Sequence, residues 1–199
     1  PESTSPQEGF ALLYTPPIAN PKILLVGQNP GNFGHYFEDE INRYMLSGGI
    51  PEINTYTEFN YPLARVLRQV FEQGGYRETL NNDLVGMNLW HCQWHGTPNL
   101  DEQTKRVFCA NTFKMIRLLK PQNIICVGVE AFDAINKCRT PRNVETHQYG
   151  GRFYSEGEIS PKNQPDIPVY LVGHLTGSRT PKELTQAALM HALHKIHEG

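Results

Sequence analysis

Lys22-Ile-Leu-Leu-Val-Gly-Gln-Asn-Pro-Gly31 is the stretch that decides the fold. Ile23 to Val26 is a short, unbroken apolar run of branched residues, the pattern of a parallel strand covered on both faces, and Gly27 ends it. The loop beyond is stiffened by Pro30 and bracketed by Gly27 and Gly31, which holds Gln28 and Asn29 at the carboxyl end of the strand. In open α/β sheets, ligands bind there. Read locally, the same residues also make a plain Asn-Pro-Gly turn.

The rest of the chain repeats the device. A strand over about Asp83 to Leu89 delivers Asn88, a third over Asn123 to Gly128 ends in glycine, and a fourth over Val169 to Val172 meets Gly173 and then His174. Between them lie helical patterns. Leu63, Val66, Leu67, Val70 and Phe71 share one face and stop at Gly74-Gly75. Asn99 with Glu102 marks a helix start, with Phe108, Cys109, Met115, Ile116 and Leu119 as the buried face up to Pro121. A short helix runs to about Lys137, and residues 139–168 suggest a hairpin around Gly150-Gly151. Thr180-Pro181 with Glu183 begins a last helix carrying Leu189, Leu193 and Ile196. Four buried strands alternating with helices imply a three-layer α/β/α domain around a central four-stranded parallel sheet. Asn29, Asn88 and His174 then stand at strand ends on one edge and can converge.

Composition narrows the classes. With 199 residues, 39% of them hydrophobic, the chain suits one domain over residues 21–199, preceded by a polar, Pro-rich extended arm over residues 1–20 to which no chemistry is assigned. Residues 32–60, rich in aromatics, read as a helix and a long loop over the site. No apolar run approaches the roughly 20 residues of a membrane span, and no charged-then-apolar leader opens the sequence. The expectation is a monomeric intracellular protein, cytoplasmic, or nuclear in a eukaryote. Cys92, Cys109, Cys126 and Cys138 are widely spaced without a Cys-x-x-Cys, which indicates neither a disulfide framework nor a zinc knuckle. A net charge of −2 argues against non-specific coating of nucleic acid but allows a local basic patch.

Two amides and an imidazole, with no carboxylate pair and no activated Ser or Cys, suit a reaction whose leaving group departs largely unaided and whose developing charge needs stabilising. An Asn amide pairs an acceptor and an adjacent N–H, which is how the edge of a planar base is read. At this point the chain resembles the uracil-DNA glycosylase superfamily over roughly residues 22–197. Gly27-Gln-Asn-Pro-Gly31 is similar to its first motif and Val172-Gly-His-Leu-Thr-Gly-Ser-Arg179 to its second. Met87-Asn-Leu-Trp-His-Cys92, Thr97-Pro98, Cys109 and Leu118 to Gly128 are similar to the middle of the iron–sulfur branch.

The resemblance implies a DNA glycosylase of base-excision repair that flips a damaged base, foremost uracil, out of single-stranded or damaged duplex DNA. Asn29 would position or polarise the attacking water, and Gln28 would offer its backbone amide within the Gly27, Pro30 and Gly31 loop. Asn88 would read the O4 and N3 edge of uracil and reject cytosine. His174 would stabilise charge building on O2. Phe59 would stack on the flipped base, with Phe33 and Phe37 as rivals for that role. Ser178 and Arg179, with Lys182, would meet the DNA backbone.

Several positions depart from the family pattern. Gly31 replaces a Tyr whose ring excludes the thymine methyl. Only Cys92 and Cys109 fall on iron–sulfur positions, so a four-Cys cluster fails unless Cys126 or Cys138 substitutes, and no metal or other cofactor is expected. The second motif lacks the Pro after His and carries Ser178 or Arg179 in place of an apolar wedge, which favours single strands or loosened pairs. The missing first-motif Asp predicts a slow enzyme. Two other readings stand beside this one: a catalytically silent nucleic-acid-binding module on the same fold, and a hydrolase of free nucleosides. His91, Cys92 and His95 have no zinc-like spacing, Trp90 and Trp94 read as packing, and His191, His194 and His197 fall on a solvated helix face.

Overall fold

The four expected strands are almost wholly buried because alternate side chains enter two separate cores. The computed structural model describes residues 11–28, 50–91, 100–138, 142–149, 152–161, 164–176 and 181–198. Strand β1 spans Ile23–Gly27; Ile23 and Leu25 point to one core, Leu24 and Val26 to the other. Three helices follow within the described residues: α1 Thr55–Glu58, α2 Pro62–Gln73 and α3 Arg77–Asn82. Then come β2 Leu84–Asn88, α4 Glu102–Leu119, β3 Asn123–Val127 and α5 Val129–Cys138. Strands β4 Arg142–Tyr149, β5 Arg152–Ile159 and β6 Ile167–Val172 precede the last helix, α6 Lys182–Glu198.

The sheet has six strands in the order β2-β1-β3-β6-β5-β4. β2, β1, β3 and β6 are mutually parallel, as expected, while β4 and β5 extend the sheet antiparallel. The four-stranded sheet expected from sequence is therefore enlarged by a hairpin. The physical reason lies in Ser155 to Ile159, which pair with Ile167 to Leu171 and so cover what would have been the open edge of β6. The turn at Gly150-Gly151 lies outside the described residues.

Helices α1, α2, α3 and α6 cover one face through residues such as Tyr56, Leu67, Phe71, Leu80, Leu189 and Leu193. Helices α4 and α5 cover the other through Phe108, Cys109, Ile116, Phe132 and Ile135. α2 stops at Gly74, which caps it, as the pattern requires. α4 starts two residues later than its capping pattern suggests. Asp101, not Asn99, is its N-cap: the Asp101 carboxylate accepts from the backbone N–H of Thr104 at 2.8 Å and from its hydroxyl at 2.8 Å.

The described part of the arm, residues 11–20, is a series of bends around one bridge residue, turns left-handed at Asn20, and closes the outer edge of β2. Leu13 bridges Met87 antiparallel, Asn88 N–H donates to the Leu12 carbonyl at 3.1 Å, and Tyr14 N–H donates to the Gly86 carbonyl at 2.8 Å. An edge strand left bare would template self-association; here the chain's own lead occupies it.

Candidate functional site

The strand order fixes where a ligand can sit. The chain leaves β1 toward β2 and leaves β3 toward β6, so the switch point lies between the carboxyl ends of β1 and β3. Gly27 and Gln28 stand at the first of these ends, Gly128 and Glu130 at the second.

Asn88 ends β2, is 3% exposed, and is held from behind. Its Nδ2 donates to the Tyr14 hydroxyl at 2.9 Å and to the Ala11 carbonyl at 3.3 Å. A carbonyl only accepts, so the amide nitrogen must face Ala11 and the Oδ1 atom must face β1. There the approach is close: a Cβ at Gly27 would lie 3.0 Å from Asn88 Oδ1. Glycine at 27 is what leaves room for that oxygen. Leu89 N–H donates to the Gly27 carbonyl and Trp90 N–H to the Gln28 carbonyl, both at 2.8 Å, which extends the β1–β2 pairing past the strand ends.

Tyr14 belongs to a buried stack. Its ring lies 5.7 Å from that of Tyr56 at 13° between planes, and Tyr56 lies 6.2 Å from Tyr61. Gly86 makes the stack possible, since a Cβ there would meet the Tyr56 hydroxyl at 2.3 Å. Burial pushes the Tyr14 pKa up to about 12, against the lowering effect of its bond with Asn88. Tyr14 is thus a neutral phenol that fixes an amide.

On the other side, Gly128 turns with φ +98° and its N–H donates to the Val172 carbonyl at 2.8 Å, tying the ends of β3 and β6 together. The His174 ring leans toward this turn: its Cδ2 would lie 3.8 Å from a Cβ at Gly128. Thr176 Oγ1 is 3.5 Å from His174 Nδ1, a long contact that orients the ring weakly. Although His174 is exposed at one edge, desolvation lowers its pKa below the ordinary histidine value, with the Glu130 carboxylate pulling the other way. At neutral pH the ring is uncharged and offers an N–H donor.

Asn88 Oδ1 therefore lies over the end of β1 and the His174 ring over the end of β3. An acceptor and a neutral imidazole thus stand near the carboxyl ends of two neighbouring parallel strands. Gln28 Nε2 donates to Glu130 Oε2 across the switch point.

Phe59 is half-buried against the core of its own face, just before α2. Arg68 locks that segment, donating at 2.7 Å to both the Tyr56 and Phe59 carbonyls. Lys182 opens α6 and is exposed. Asn29, Pro30, Gly31, Phe33, Phe37, Cys92, Trp94, His95, Ser178 and Arg179 lie outside the described residues. Cys126 and Cys109 are buried in the core under α4 and α5, where burial pushes the Cys126 thiol up. Among the described residues no group of three His, Cys, Asp or Glu side chains could hold a metal ion, and no helix is long and apolar enough to cross a membrane.

Two residues at this edge were passed over in the sequence. Tyr14 sits in an arm that carries no local sign of proximity to Asn88, more than seventy residues on. Glu130 had a signal: it follows a buried strand and a glycine just as Gln28 does. No protein-family model matches the chain, and no curated protein matches it.

Proposed function

We propose that the chain is a DNA glycosylase that takes a flipped base, foremost uracil, at the switch point and hydrolyses its N-glycosidic bond, leaving an abasic site. The observation that carries this reading is the pairing of Asn88 Oδ1 with the neutral His174 imidazole on either side of bare glycine backbone at Gly27 and Gly128. Uracil carries an N3–H donor between two carbonyls. Oδ1 accepts from N3–H, and contact with O4 as well is open to Nδ2 if it gives up its longer bond, to Ala11. Cytosine has a bare N3, an acceptor facing an acceptor, and is rejected by the unpaired lone pairs.

As the C1′–N1 bond breaks, its electron pair moves into the base and onto O2, where the His174 N–H stabilises it. One such donor is worth about 3 to 4 kcal/mol, or 10²- to 10³-fold in rate. Neutrality matters here, because an uncharged ring stabilises the oxyanion without first holding a counter-charge against an empty site. Asn29 positions the water and Gln28 its backbone amide toward the base; Phe59 stacks on it. Ser178, Arg179 and Lys182 meet phosphates, whose contacts position the strand without reading sequence.

The test is uracil release from single- and double-stranded oligonucleotides by the wild type, Asn88→Ala and His174→Ala under single-turnover conditions. His174→Ala should slow release about 10²- to 10³-fold, and Asn88→Ala should narrow the preference for uracil over cytosine. Oligonucleotide binding that depends on Asn88 with no turnover on any base would instead identify a silent binding module. Release from uridine alone would identify a nucleoside hydrolase.

A further inference from the structure

A glycosylase that relies on Gln28 and Asn29 at the end of β1 lacks a base there, since an amide does not take up a proton at neutral pH. The water oxygen must nevertheless lose a proton as it bonds to C1′. Glu130 stands where that proton could go. It lies in the first turn of α5, directly after the Gly128 turn, and is exposed to solvent. Its Oε2 accepts from Gln28 Nε2, and among the described residues Oε1 accepts no hydrogen bond. Among the described residues, the charge of Glu130 acts on His174 beyond β6 and on Lys105 on α4. It thus sits between the loop expected to hold water and the imidazole expected to hold the leaving base.

We infer that Glu130 is the general base of this site: a carboxylate supplied from the β3–α5 junction, held by Gln28, that takes the proton of the attacking water. This rests on the glycosylase reading of the same edge. The step balances as follows in atoms and electrons. The water O–H bond breaks and its proton goes to Glu130 Oε1. The water oxygen bonds to C1′ while the C1′–N1 pair departs with the base. The base anion then takes a proton from solvent at N1, and Glu130 returns its proton to solvent. The net change is addition of one water across the glycosidic bond.

The experiment compares wild type, Glu130→Gln and Glu130→Ala in single-turnover release of uracil from a single-stranded oligonucleotide across pH, alongside oligonucleotide binding and the His174 titration by NMR. Gln at 130 keeps an acceptor for Gln28 but cannot take a proton. The expected result is a loss of about 10²-fold or more in both variants, loss of the acidic limb of the rate profile, binding unchanged or tighter, and a His174 pKa lower than in wild type. A Glu130→Gln variant as fast as wild type overturns the inference and leaves the glycosylase reading standing; so does a fast Glu130→Gln beside a slow Glu130→Ala, which would make Glu130 a positioning residue. An unchanged His174 titration removes the proximity on which the base role depends. A wild type that releases no base removes both readings together.

Discussion

Asn88 shows how much of the site is set by one side chain's surroundings. Its amide nitrogen is engaged by Tyr14 and Ala11, so the atom presented to the switch point is the oxygen. Tyr14→Phe keeps the ring stack and deletes the 2.9 Å bond, leaving one Asn88 N–H buried beside an apolar edge. That should cost about 1 to 2 kcal/mol of stability, read as a lower denaturation midpoint at unchanged slope. The same variant should narrow base selectivity more than it slows release, because a looser amide can rotate. Part of the site was legible: a Gly-ended strand followed by a polar side chain recurs at Gln28 and His174, and Asn88 is the polar last residue of an otherwise apolar strand. Tyr14 was not, because its link to Asn88 is purely tertiary and no periodicity in the arm announces it.

At the scale of elements, the parallel strands were plain in the sequence because burial on both faces forces a continuous apolar run, which few other structures require. The N-cap of α4 was less plain, since Asn99, Asp101 and Glu102 all carry capping chemistry and only the engagement of Thr104 selects Asp101. β4 and β5 were recognisable as a hairpin but not as sheet members. Their sequences are polar, and pairing with β6 comes from backbone hydrogen bonds that side-chain patterns do not report. Gly86 is the sharpest test of how β2 meets α1. Alanine there would place Cβ 2.3 Å from the Tyr56 hydroxyl and 2.4 Å from its Cε2, so Tyr56 has to leave its place in the stack. Gly86→Ala should destabilise the protein by about 2 to 3 kcal/mol, seen in thermal or denaturant unfolding. Tyr56→Phe should not rescue it, since the ring carbon still clashes.

For the molecule as a whole, the arm is also tied just past the end of β2, where Ala11 N–H donates to the His91 carbonyl at 2.8 Å. His91 is 1% exposed and packs edge-on against Phe108 at 5.0 Å. Burial lowers its pKa from 6.5 to about 4. The sign follows from linkage: the folded state resists the proton that the unfolded chain accepts. The stability His91 contributes as a neutral group is therefore present above pH 6.5 and lost as pH falls toward 4. The loss amounts to about 3 kcal/mol in all. Urea titrations at pH 7.5 and 4.5 should show a smaller drop for His91→Gln than for the wild type; an equal drop would place the acid sensitivity elsewhere.

The central claim is that the carboxyl edge of β1 and β3 receives a base and severs it from its sugar. Mass-spectrometric detection of free base and abasic strand tests it most directly, using wild-type protein and single-stranded oligonucleotides carrying uracil, cytosine, thymine or a deaminated or alkylated purine. The account predicts uracil released and cytosine retained. No base released from any oligonucleotide at stoichiometric protein would contradict it.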